Sequence, residues 1–92
     1  MNNELYQKKN EYERLINNIN NCYNKLENCY SNLLLCKKKI NNCLKENNNY
    51  YDYSTLEKII NNIEKEKNNI LHSILPQARH QYNKILLEIS KL

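Results

Sequence analysis

Ten residues between Tyr12 and Cys43 recur in alternating steps of three and four: Tyr12, Leu15, Ile19, Cys22, Leu26, Cys29, Leu33, Cys36, Ile40 and Cys43. Such steps keep side chains on one stripe of an α-helix. A stripe sustained over several heptads is a coiled-coil seam. In this frame Ile19, Leu26, Leu33 and Ile40 take the a positions, and Cys22, Cys29, Cys36 and Cys43 take consecutive d positions. Leu5 extends the a series backwards, but Lys8 falls at d, so the seam weakens toward the N-terminus. The pattern predicts one helix over about residues 3–47, roughly 65 Å long at 1.5 Å per residue.

Glycine is absent and Pro76 is the only proline. A sheet protein needs turn residues at short intervals, so few, long helices are expected. Asn is abundant and is a mediocre helix former. These helices are therefore expected to be held by packing rather than by propensity, and the Asn, Lys, Ile and Tyr bias is read as a property of the source genome. The heptad breaks over Glu46 to Tyr53, where three consecutive Asn favour a turn, placed at residues 48–53. Ser54-Thr55-Leu56-Glu57 reads as a capping box, with Ser54 as N-cap and Glu57 reaching back.

A second seam follows: Leu56, Ile60, Ile63, Lys67, Ile70 and Ile74, then Ala78, Tyr82, Ile85, Ile89 and Leu92. The step from Ile74 to Ala78 is four where three is due, so the register slips by one residue beside Pro76. Two readings fit: a helix over about residues 54–92 kinked at Pro76, or a third helix that Pro76 opens. The expected fold is all-α, a single domain over residues 1–92. It is an antiparallel coiled-coil hairpin with a Pro-kinked second helix, the alternative being a three-helix bundle broken at Pro76. Leu34, Leu35, Ile59, Leu71, Leu86 and Leu87 lie off the seam and widen the apolar stripe toward that of a bundle member. A dimer or a larger helical partner is expected to cover what a thin hairpin leaves exposed.

The cysteine ladder excludes sharper chemistry. Residues seven apart on a helix are about 10.5 Å apart, while a disulfide needs Cα atoms within about 7 Å. The second half has no cysteine to offer. Zinc sites use closer pairs, and His72 and His80 lie on another segment. The cysteines are expected to act as small core residues, with crosslinking between two chains as the other reading. Unbridged cysteines point to a reducing compartment, cytosol or nucleus.

No glycine loop can cradle phosphate, and neither histidine has a triad-like context, so no catalytic residue, cofactor or metal ligand is expected. Met1 to Asn10 is polar and lacks an apolar signal region. No run of about 18 apolar residues occurs, so no membrane span is expected. The net charge of +4 mildly favours acidic partners; nucleic acid is not expected, because the lysines are dispersed. The one tight basic run, Lys37, Lys38 and Lys39, and the turn residues Tyr50, Tyr51, Asp52 and Tyr53 are the candidate partner-binding positions, since Tyr is enriched at interfaces.

Tyr51-Asp52 at the turn, followed by Ile74-Leu75-Pro76 and Gln77-Ala78-Arg79-His80-Gln81-Tyr82, resembles the order of features in the tubulin-binding cofactor A family. That family has a long first helix, a polar turn ending in Tyr-Asp, and a long second helix interrupted by proline after two apolar residues. The resemblance covers about half of the chain. It implies a small helical chaperone that captures free β-tubulin along its helix faces. The stretch from Asp52 to Pro76 is longer than the family's by about two turns, its start lacks the family's charged residues, and the family's short C-terminal helix has no counterpart before Leu92. The competing expectation is a coiled-coil subunit of a cytoskeletal, kinetochore or tethering complex.

Overall fold

A computed structural model describes residues 2–46 and 52–92. The first arm is a single helix, α1 (Asn2–Glu46). The second arm comprises α2 (Ser54–Asn69), a π-helical segment (Ile70–Ile74) and α3 (Leu75–Ser90). The arms run antiparallel as a hairpin, and no strand occurs among the described residues. The molecule measures 71 × 15 × 14 Å, and its long axis matches the ~67 Å that 45 helical residues span. Its radius of gyration is 20.7 Å, against about 12 Å for a compact chain of this length. Among the described residues only Ile60, Ile70, Leu75, Ala78 and Ile85 are buried.

The seam of α1 differs from the expected one. The a residues Ile19, Leu26, Leu33 and Ile40 are half-buried as expected. Their partners in the seam, however, are Ile16, Tyr23, Tyr30, Lys37 and Leu44, four residues on from each a position rather than three. Cys22, Cys29, Cys36 and Cys43 are exposed, as is Leu15. A two-helix hairpin has room for one stripe only. Tyr, Ile and Leu carry far more apolar surface than Cys, and burial scales with that area. The helix is therefore turned by one heptad position, and the cysteines flank the seam.

On the second arm Leu56 and Ile63 are half-buried, and Ile60 and Ile70 buried, as the spacing requires. Ile74 departs from expectation: it is 47 % exposed, and Leu75 is buried in its place at 5 %. The π segment causes this. The Leu75 N–H donates to the Ile70 carbonyl, five residues back, so one extra residue is held in the turn. Ala78, Tyr82, Ile85 and Ile89 then follow at regular spacing in the seam, while Leu92 is exposed. The second arm runs on through Pro76, as the hairpin reading requires, with a π turn ahead of the proline. In an α-helix its ring would press on the carbonyl of residue 72, and its missing N–H would orphan that group. A widened π turn just before the proline relieves the first problem and absorbs the slipped register, so the arm continues without a break.

Cross-arm pairs record the inserted residue. Lys37 meets Glu57 and Glu27 meets Lys67, so ten residues on one arm match ten on the other. Glu13 meets Tyr82. From the Glu27–Lys67 pair, that is fourteen residues back along α1 and fifteen forward along the second arm.

The capping box does not form. Tyr53 is the N-cap and makes no side-chain cap bond, while Ser54 is already helical. The Ser54 N–H donates to Asp52 Oδ1 at 3.0 Å, and the Glu57 N–H donates to the Tyr53 carbonyl at 2.8 Å. An Asx-type turn two residues long starts the helix one position earlier than a serine cap would.

Candidate interaction surfaces

Two charged clusters lie within the seam. Lys67 projects from α2 between Tyr23 and Tyr30 of α1, its Nζ 5.9 Å and 4.3 Å from the two ring centroids. It also pairs with Glu27. Tyr23, Glu27 and Tyr30 fall on successive turns of one helix face, so α1 forms three walls around the ammonium. The Lys67 side chain is only 12 % exposed, and the hydrogen bond to Glu27 raises its pKa above the ordinary lysine value. Cation–π contact and a carboxylate partner together let a cation occupy a seam position. A single polar residue there fixes the register of the arms. Lys67 is a polar member of the seam expected from the spacing, whereas Tyr23 and Tyr30 have no place in the expected ladder of α1.

The second cluster lies nearer the turn. Lys37 Nζ sits 3.0 Å from Glu57 Oε1 and 5.5 Å from the Tyr53 ring centroid. The basic run is therefore split: Lys37 is half-buried and engaged across the arms, while Lys38 and Lys39 are exposed. The three do not form one patch, because consecutive residues on a helix point 100° apart. Of the candidate turn residues, Asp52 is exposed and Tyr53 half-buried; Tyr50 and Tyr51 lie outside the described residues. The backbone hydrogen bond from Ser54 holds the Asp52 carboxyl below the usual range.

At the far end the Tyr82 hydroxyl donates to Glu13 Oε1 at 2.8 Å, and Lys9 lies 3.5 Å from the same oxygen. The tyrosine bond lowers the Glu13 pKa and raises that of Tyr82. On the opposite side of the hairpin, Leu15 and Tyr12 face Ile74, Gln77 and Gln81 across a shallow groove of about 310 Å³. Leu15, Cys22, Cys29, Cys36 and Cys43 recur every seven residues, so the groove is continued along α1 by the exposed cysteine stripe.

Among the described residues no group of three or more His, Cys, Asp or Glu could hold a metal ion. No described helix is long and apolar enough to cross a membrane. Fold and contacts define the class: an elongated antiparallel helical hairpin with a tyrosine- and lysine-bearing seam and an exposed apolar flank. Comparisons with protein-family models, curated proteins and solved structures find no match.

Proposed function

We propose that this chain is a non-enzymatic helical protein–protein interaction module that binds through its long faces. The observation that carries this reading is the surface left over. The hairpin exposes 7283 Å², whereas a folded monomer of this mass exposes about 5700 Å². The excess includes large apolar side chains on both arms, such as Leu15, Leu35, Ile59 and Leu87. Large apolar side chains left in solvent along both arms support association with a partner. A shallow groove with no clustered titratable groups offers little to catalysis.

Two partner classes follow. A structural subunit of a coiled-coil assembly in a reducing compartment, of cytoskeletal, kinetochore or tethering type, is favoured by the thin core, since five buried residues among those described leave little stability without a partner. A tubulin-folding cofactor that captures free β-tubulin rests on the resemblance around Tyr51-Asp52 and Ile74-Leu75-Pro76. Affinity capture from a native lysate under reducing conditions, read by mass spectrometry, separates them. A recurrent set of helical proteins supports the subunit, and tubulin as the dominant partner supports the cofactor. Failure to retain any protein, from a chain that melts cooperatively on its own, overturns the interaction module.

A further inference from the structure

The π segment holds two pairs of adjacent apolar residues at its ends, Ile70-Leu71 and Ile74-Leu75. One member of each pair is buried in the seam, Ile70 and Leu75, while the other, Leu71 and Ile74, is exposed. Both pairs stand between two fixed points, Lys67 among its tyrosines and Ala78 in the core. We propose that the second arm has a second packing, in which a regular α-helix replaces the π turn and Leu71 and Ile74 take the seam places of Ile70 and Leu75. Pro76 is the latch that holds the arm in its π form.

Spacing points to the exchange. Ala78 lies eleven residues after Lys67. Eleven residues complete three α turns to within about 20°, so the two fixed points share a face with no wide turn between them. In that helix Leu71 and Ile74 fall about 40° and 20° from Lys67, whereas Ile70 and Leu75 fall about 60° and 80° away on opposite sides. A regular helix therefore aims Leu71 and Ile74 at α1. The π turn, closed by the Leu75 N–H on the Ile70 carbonyl, brings Ile70 and Leu75 into line instead.

Burial is nearly the same in both forms. One Ile and one Leu leave the seam as one Leu and one Ile enter it, so the apolar area removed from water hardly changes. Two packings of nearly equal burial are what a two-state element requires. Backbone decides between them. The wide turn is the rarer form, and Pro76 favours it, because in the α form its ring presses on the carbonyl of His72. Tyr82, Ile85 and Ile89 keep their places, as do the pairs of Lys37 with Glu57 and of Lys67 with Glu27. One surface feature does change. Ile74 lines the shallow groove beside Tyr12 and Leu15, and it withdraws from that groove in the α form. The groove thus belongs to the π form alone.

The test is a rescue, made on the full chain. Ile70→Asn with Leu75→Asn sets two amides in the seam of the π form but on the flanks of the α form. With Pro76 in place, this pair should abolish the cooperative thermal transition in circular dichroism. Adding Pro76→Ala should restore a cooperative melt and most of the lost helicity. In the rescued chain the Leu71 methyls should show nuclear Overhauser contacts to α1 that the parent lacks. Adding Leu71→Asn to it should abolish the melt again. Ile60→Asn, which is buried outside the exchange, should not be rescued by Pro76→Ala.

No rescue would mean that the seam accepts only Ile70 and Leu75, and would overturn the proposal. Equal rescue of Ile60→Asn would reduce the proline substitution to general strengthening of the helix and would overturn it as well. So would a rescued chain indifferent to Leu71→Asn. A cooperative melt of the Ile70→Asn, Leu75→Asn chain with Pro76 still present would overturn the latch.

Discussion

The two halves of the hairpin are built from different materials. Near the turn, α2 buries a single residue, Ile60, and its contact with α1 runs through Lys67 among Tyr23, Tyr30 and Glu27, and through Lys37 with Glu57 and Tyr53. Beyond the π segment, the equally long α3 buries Leu75, Ala78 and Ile85 and adds only the Tyr82–Glu13 bond. Apolar burial is strong but nearly indifferent to sliding by a heptad. Directed pairs are weaker in water and intolerant of any slide. The far half supplies most of the adhesion, and the near half specifies which residues face each other.

That division can be broken experimentally. Leu75→Ala is expected to have the largest effect, about 2–5 kcal/mol for an aliphatic core truncation. That rivals the whole stability of a chain this small. Loss of the cooperative thermal transition in circular dichroism is the expected outcome, and a melt within a degree or two of the parent would show that α3 is not the adhesive half.

Deleting Ser73 should cost nearly as much. The π turn would revert to α, and the proline would then sit inside a regular helix, at about 3 kcal/mol. Adding Pro76→Ala to the deletion should restore most of the loss, because the seam then runs unbroken from Ile70 to Leu75. Urea titration of both variants decides the matter. Absence of rescue would detach the π segment from the proline.

Lys67→Ala should lower the melting midpoint by only a few degrees, yet change the pairing. Amide exchange is expected to rise across α2 and the facing part of α1 while α3 stays protected. A uniform rise along both arms would mean that register is fixed elsewhere.

The smallest effect is the dependence on pH. The Glu13 and Asp52 carboxyls are lowered by their hydrogen bonds from Tyr82 and Ser54. They stabilise the fold above the ordinary carboxylate range, and that contribution is lost as pH falls through their lowered values. Tyr82 and Lys67 are raised by Glu13 and Glu27. Their contribution is present below the ordinary tyrosine and lysine values and is lost as pH climbs through the raised ones. Melting midpoints should be flat near neutrality and decline at both extremes. Tyr82→Phe should flatten part of each decline, and an unchanged profile would remove the bond from the account.

Much of this architecture was legible in the residues. The absence of glycine, the two three-and-four ladders and the Asn-rich break between them yield an antiparallel helical hairpin. The frame of the first ladder was not legible in full, because Ile19, Leu26, Leu33 and Ile40 are compatible with a partner stripe on either side. Counting apolar letters favours Cys22, Cys29, Cys36 and Cys43. Weighing the area of Tyr23 and Tyr30 favours the other side, and area is what burial rewards. The register slip at Pro76 was visible as spacing, but spacing alone cannot say whether a chain bends, breaks or widens. The lysine cage was hidden for a different reason, since it needs residues about forty positions apart in sequence to be brought into register first.

The five residues from Ile70 to Ile74 also carry a consequence for how such a gene can change. Gaining one codon inside a long helix ordinarily rotates every later side chain by about 100°, which would turn Ala78, Tyr82, Ile85 and Ile89 out of the interface together. Here a single surplus residue is swallowed within one wide turn, and the phase downstream is untouched. The second arm therefore has a place where its reading length can drift by a triplet without a loop, a gap or a compensating loss in the first arm.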